Sequence, residues 1–85
     1  MTKTVIAIPP GYTIEEQLNE NGLTQKEFAK LMELSDNSIN ALISGQMLLS
    51  IDIATKLEKV LGIPAQFWLN LEAIYRKKIE RINKI

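Results

Sequence analysis

Helix start and stop signals recur along this chain at intervals that are too short for long helices. Residues suited to begin a helix, each a serine or threonine ahead of an apolar stretch, are Thr13, Thr24, Ser35 and Ser50. Glycines suited to end one are Gly22, Gly45 and Gly62. A cap oxygen accepts from the first free N–H groups, and a glycine adopts the left-handed conformation that closes a helix. Up to Gly62 the chain is therefore constrained to a series of short helices.

The first two helices are predicted over about 13–21 and about 24–32. In each, a glutamate follows the starting threonine by three residues, which is the pattern of a capping box. The two pairs are Thr13 with Glu16 and Thr24 with Glu27.

The third and fourth helices begin at serine caps and end at glycines. Ser35 begins the third and Gly45 ends it, while Ser50 begins the fourth, with Asp52 in its first turn, and Gly62 ends it. Their predicted buried stripes are Ile39, Leu42 and Ile43, and then Ile53, Ala54, Leu57, Val60 and Leu61.

A fifth helix follows Pro64, which suits a first helical position, and no breaker interrupts it up to Ile85. We expect Phe67, Trp68 and Leu71 to lie in the core because they carry large apolar side chains near the start of this helix. The fold class predicted is an all-α bundle of five helices.

A chain of 85 residues supports one hydrophobic core, so a single domain is predicted over 1–85, with its core at about 8–75 and a helical extension over 76–85. The sequence contains neither cysteine nor histidine. The usual thiolate nucleophile, general base and metal ligands are therefore missing. We expect no enzyme activity, no cofactor and no metal site.

The start of the chain carries no pattern for export or membrane insertion. Lys3 precedes the short apolar run 5–8, which Pro9 and Pro10 end, so the run is too short for a signal peptide or a membrane span. We expect a cytoplasmic protein with no membrane partner.

The second and third predicted helices are joined only by Glu33 and Leu34, a connection typical of helix-turn-helix units. Residues 23–29 (LTQKEFA), then Leu34-Ser35, Ile39 and Gly45, resemble the helix-turn-helix of the Cro/repressor-like XRE family.

Three flanking segments resemble the HigA/VapI-type antitoxin branch of that family. They are residues 8–11 (IPPG), residues 52–54 (DIA) with Leu57, and residues 62–71 (GIPAQFWLNL). The resemblance implies a five-helix, lambda-repressor-like domain that dimerises and places its third helix in the major groove of operator DNA. It further implies repression of a toxin–antitoxin operon and a cognate toxin as partner.

Candidate DNA-binding residues lie on the second and third helices. Thr24 and Gln25 could hold a phosphate, Lys26 and Lys30 are the nearest cations, and Asn40 could pair with adenine. An equally simple interpretation is that these are caps and ordinary surface residues. The full candidate set is Thr24, Gln25, Lys26, Lys30, Ser35, Asp36, Asn37, Ser38, Asn40, Ser44 and Gln46.

The charge around the third helix permits a second hypothesis. No lysine or arginine lies between Lys30 and Lys56, although phosphate neutralisation usually supplies much of DNA affinity. The alternative is a protein-interaction module on the same scaffold, with Met47, Leu48 and Ile51 as an apolar surface for a partner such as a toxin.

One further residue departs from the family. Glu33 stands where relatives usually carry glycine, and a left-handed conformation there costs about 1 kcal/mol.

The end of the chain is basic and also carries an apolar stripe. The basic residues, opposed only by Glu80, are Arg76, Lys77, Lys78, Arg81 and Lys84. The stripe, which we predict to be a dimer interface, is Leu71, Tyr75, Ile79, Ile82 and Ile85. The competing explanation is that the chain is the N-terminal part of a longer regulator whose remainder covers the stripe.

Overall fold

The computed structural model describes residues 7–83, and over these residues the chain forms five helices and no strand. The helices are α1 (Pro10–Asn21), α2 (Gln25–Met32), α3 (Asp36–Ser44), α4 (Ile51–Leu61) and α5 (Ala65–Asn83). The predicted all-α, five-helix fold with a long last helix is confirmed.

The serine and threonine caps predicted for α2, α3 and α4 are all formed. Thr24 accepts from the Glu27 N–H at 3.1 Å, and Ser35 and Ser50 make the equivalent bonds at the starts of α3 and α4. Glycines in the left-handed conformation follow α1, α3 and α4. Local chemistry therefore determines most helix ends in this chain.

The predicted start of α1 is wrong. The helix begins at Pro10 with Pro9 as its N-cap, so Thr13 lies inside α1 and makes no capping box with Glu16. The fixed backbone angle of a proline suits the first turn of a helix, where no N–H partner is needed. The helix therefore begins at the proline, about one turn before the threonine that was predicted to cap it.

One hydrophobic core joins all five helices. Its buried apolar residues are Ile14, Leu18, Phe28, Ala29, Met32, Ile39, Leu42, Ile43, Leu49, Ile53, Ala54, Leu57 and Trp68. The predicted core residues Val60, Leu61 and Leu71 are half-buried and pack against it. No helix in the described part of the chain has the length and apolar content to cross a bilayer.

The core prediction is right for Trp68 and wrong for Phe67. Trp68 is fully buried and its indole N–H donates to the Ile63 carbonyl at 3.2 Å, whereas Phe67 is 41% exposed. Successive residues of a helix point in different directions, and at this position of α5 the Trp68 side chain is the one that points into the core. Phe67 instead packs edge-on against Trp68, with ring centroids 5.3 Å apart.

The crossing of α1 and α3 depends on Gly11. A Cβ at this position would overlap the backbone of Ile43, so only a glycine allows the two helices to approach this closely. This contact fixes α3 against the first helix and leaves its opposite side facing outward.

Candidate nucleic-acid interface

The turn between α2 and α3 is short and is closed by backbone hydrogen bonds. Glu33 takes the left-handed conformation that its family position would demand of a glycine, with φ at 57°. Its N–H donates to Lys30 and the Leu34 N–H donates to Ala29, at 3.1 and 3.0 Å. These bonds end α2 and position α3 directly after it.

The start of α2 is a complete capping box. The Thr24 N–H donates to the Glu27 carboxylate at 3.0 Å, and Thr24 Oγ1 accepts from the Glu27 N–H. The pKa of Glu27 is lowered, most by the bond from the Thr24 N–H, next by the bond to the Thr24 side chain and least by the charge of Lys30. Desolvation of the carboxylate acts in the opposite direction. The box therefore contributes stability above the ordinary glutamate pKa and loses it as the pH falls through the lowered value.

A cleft of about 250 Å³ lies between the starts of α2 and α3. Gln25 and Lys26 line it from α2, and Asp36, Ile39 and Asn40 line it from α3. The fold thus brings four of the predicted DNA-binding residues together beside the starts of two helices. Free N–H groups at helix starts favour an anion such as phosphate.

The outward side of α3 is polar, and we call its exposed residues Asp36, Asn37, Asn40 and Ser44 the α3 face. Three of the hydroxyls predicted to contact DNA are already bonded within the chain. The Ser38 and Ser35 hydroxyls are 3.0 Å apart in the cap, and the Ser44 hydroxyl donates to Ala41 at 3.2 Å.

The other predicted DNA-binding residues do not line the cleft. Lys30 is exposed on α2, one turn after Lys26. Gln46 is exposed after the far end of α3, beyond Gly45. A ligand lying along α3 would have to cover its length to reach both the cleft and Gln46.

Two residues of α5, which the sequence did not single out together, hold the segment after α3 in place. The buried Glu72 carboxylate accepts from the Leu49 N–H at 3.0 Å and from Arg76 Nε at 2.9 Å. A second Arg76 nitrogen donates to the carbonyls of Gly45 and Met47, at 3.1 and 3.3 Å. We call this arrangement the Glu72–Arg76 clamp.

The clamp separates Arg76 from the other basic residues at the end of the chain. Arg76 is half-buried, and its guanidinium also lies 4.9 Å from the centre of the Tyr75 ring. The carbonyls that it satisfies would otherwise lack a donor at the end of α3. The only available sequence signal was a glutamate four residues before an arginine, because the loop partners are remote in sequence.

The predicted partner surface is only partly exposed. Leu48 and Ile51 are 66% and 69% exposed, while Leu49 between them is buried. Met47, predicted to have no place in the core, is half-buried and packs against it. Leu48 and Ile51 therefore form a smaller apolar patch than the sequence suggested.

The predicted dimer stripe runs along α5, and its described members are all half-buried: Leu71, Tyr75, Ile79 and Ile82. Ile85, like Lys84, lies outside the described residues. Leu71 packs against the core, and the Tyr75 hydroxyl lies beside Gly45, where a Cβ would crowd it. These two residues thus already make contacts within the chain.

A family model described as helix-turn-helix matches residues 14–68 of the chain. The matched span includes α2, α3 and α4, most of α1 and the first residues of α5.

Similarity to individual proteins supports the same family. An uncharacterized HTH-type transcriptional regulator of Escherichia coli strain K12, YddM, is 38% identical over 63 residues, or 74% of this chain and 67% of the relative. Virulence-associated protein I of Dichelobacter nodosus is 34% identical over 92% of this chain and 73% of its own length. The structure of Pseudomonas aeruginosa antitoxin HigA with the higBA promoter has a TM-score of 0.84 at 26% identity, covering 92% of this chain and 86% of that one.

Proposed function

Since this chain belongs to the helix-turn-helix family of transcription regulators and is similar to HigA-type antitoxins, we propose that it binds operator DNA and represses its own operon. The observation that carries the proposal is the cleft in which Gln25 and Lys26 of α2 meet Asp36 and Asn40 of α3. The family is one of DNA-binding regulators and not of enzymes. Because its ligand is DNA, we place the protein in the cytoplasm.

In the proposed complex, α2 contacts the backbone and α3 lies in the major groove. The N–H groups at the start of α2, with Gln25 and Lys26, hold phosphate oxygens and set the register of the protein on the duplex. The α3 face then reaches base edges, which carry the sequence information.

Besides DNA, the proposed partner is a second copy of the chain, which forms a homodimer with the first. Ile79 and Ile82 lie on the part of α5 beyond the clamp, and a two-fold pairing of these helices would cover them. Such a dimer presents two copies of α3 to successive major grooves, about 34 Å apart, on a palindromic operator.

A gel-shift titration with DNA from upstream of the protein's own gene tests the proposal. We expect a shift at low salt that weakens as salt rises, with a slope for only about two to four phosphate contacts per subunit, because few cations lie near the α3 face. Lys26→Ala should reduce the slope and weaken binding to all sequences. No shift at low salt would refute DNA binding, and a slope near ten would refute the contact assignment.

The exposed Leu48 and Ile51 favour a second candidate function, which is binding of a toxin protein at this patch. Co-purification with the product of the neighbouring gene tests it. Leu48→Ser with Ile51→Ser should abolish capture, whereas Ile74→Ser, which alters another exposed apolar residue, should not. Capture that survives the double substitution would remove the patch from the interface.

A further inference from the structure

On the α3 face, the only neutral polar side-chain groups that are not hydrogen-bonded within the described chain are carboxamides. Within residues 7–83, neither Asn37 nor Asn40 has its carboxamide bonded to another part of the chain, and both residues are exposed. The Ser44 hydroxyl is bonded to Ala41 and the Ser38 hydroxyl to Ser35. The groups free to read a base are therefore two amides and the carboxylate of Asp36.

These groups match the edge of adenine and not that of guanine. In the major groove adenine offers one acceptor and one donor, and a carboxamide, which has both, can pair with it in two bonds. Guanine offers two acceptors, which arginine or lysine matches, and the chain has neither residue from 31 to 55. The Asp36 carboxylate has only acceptors, so it disfavours guanine further.

The spacing of the two asparagines suits nearby base pairs. Asn37 and Asn40 are three residues apart on α3, so they lie on one side of the helix and about 4.5 Å apart along its axis. Base pairs are stacked about 3.4 Å apart. The two amides can therefore address adjacent base pairs or pairs separated by one.

We propose that each half-site of the operator presents adenines to Asn37 and Asn40, in A·T pairs that are adjacent or separated by one base pair, and that no guanine is read by α3. The proposal rests on the proposed function, because it specifies which sequence the DNA-binding surface recognises. Replacing the adenine opposite Asn40 by guanine should weaken binding about tenfold or more per half-site.

Selection of duplexes from a randomised library by the full chain at low salt tests this preference. We expect A·T pairs at two nearby positions of each half-site. Asn40→Arg should change the selected base at one of these positions from adenine to guanine, since arginine matches the two guanine acceptors. Asn40→Ala should leave that position without a preference.

Asn70→Ala is the matched control, because Asn70 is exposed on α5 and its carboxamide is bonded to Gln66. It should select the same sequence as the unaltered chain, and circular dichroism shows whether each variant is folded. A consensus with guanine at the positions facing α3, unchanged by Asn40→Arg, would overturn the inference and leave DNA binding intact. Failure to retain any duplex would overturn both.

Discussion

The α3 face and the basic end of α5, residues 76–83, differ in their charge and in whether their polar side chains are bonded within the chain. The α3 face has one charged residue, Asp36, whereas the end of α5 carries Arg76, Lys77, Lys78 and Arg81 with only Glu80 in opposition. Judged by charge alone, α5 would be the part that contacts DNA. Yet α3 adjoins the cleft between two helix starts, and the cation of α5 nearest the core is bonded within the chain.

Under the proposed function, a count of positive residues does not locate the nucleic-acid surface of this chain. Arg76 donates to a carboxylate and to two carbonyls, so it serves the fold and is poorly placed to neutralise a phosphate. The α3 face offers amides and neighbouring backbone N–H groups, which suit recognition at short range. This contrast supports the proposal that α3 reads bases and that α5 mediates self-association.

The largest effect is expected from substitutions that break the proposed dimer at α5. Ile79→Asp with Ile82→Asp should give a folded monomer and weaken operator binding about 100-fold, because one subunit loses the gain from two linked half-sites. Sedimentation and gel-shift titration measure the two changes. A wild-type chain that is monomeric at micromolar concentration would contradict the prediction.

Lys77→Ala with Lys78→Ala is the control, since it changes the net charge by the same amount and keeps both isoleucines. We expect it to remain a dimer. If it weakened DNA binding as much as the aspartates do, α5 would act through its charge and the assignment above would fail.

The second effect concerns the stability that the clamp provides. Arg76→Met should lower the free energy of unfolding by about 2 kcal/mol, because the Glu72 carboxylate stays buried without its cation and two carbonyls lose a donor. Urea denaturation measures the loss. Lys77→Met, at an exposed neighbouring position, should change stability by less than about 0.5 kcal/mol. Equal effects of the two substitutions would show that the clamp contributes little.

A smaller effect is expected from reversing the charge of the α3 face. Asp36→Arg should tighten DNA binding by about 1 kcal/mol at low salt, since it replaces repulsion of phosphates by attraction, and the gain should fade as salt rises. Glu20→Arg makes the same charge change on α1 and should have less effect. Unchanged affinity for Asp36→Arg would indicate that α3 faces a protein partner and not phosphates.

The smallest effect is expected in the turn before α3. Glu33→Gly should raise the free energy of unfolding by about 0.5 kcal/mol, because relief of the left-handed strain slightly exceeds the entropy lost by a glycine. Glu33→Ala removes the same charge but keeps a Cβ, so it should not be stabilising. Thermal unfolding of both variants distinguishes strain from charge, and equal melting temperatures would exclude strain as the cause.

Signals that act within one helical turn made most of the fold predictable. Thr24 with Glu27, Ser35 and Ser50 needed no tertiary context, because each cap bonds an N–H three residues ahead. The prediction of where α1 begins failed because two local signals, a proline and a threonine, compete there. Pro10 determined the first turn, and the threonine pattern that follows was left inside the helix.

The candidate site was only partly accessible to the same reasoning. The positions of Gln25 and Asn40 followed from the helix periods, and the structure brings them into one cleft. The clamp could not be predicted, because Glu72 meets the Leu49 N–H across 23 residues and Arg76 reaches Gly45 across 31. Such pairs depend on how α5 crosses the segment after α3, and no local pattern encodes that crossing.

The bond between the Leu49 N–H and the buried Glu72 carboxylate makes one backbone amide a natural reporter. That hydrogen can exchange with deuterated solvent only when the carboxylate moves away, so its exchange rate measures how often α5 separates from the segment after α3. If it exchanges more slowly than exposed amides but faster than core amides such as that of Leu57, this junction opens while the rest of the domain stays folded. A single labelled position would then report how often this one junction opens in the folded domain.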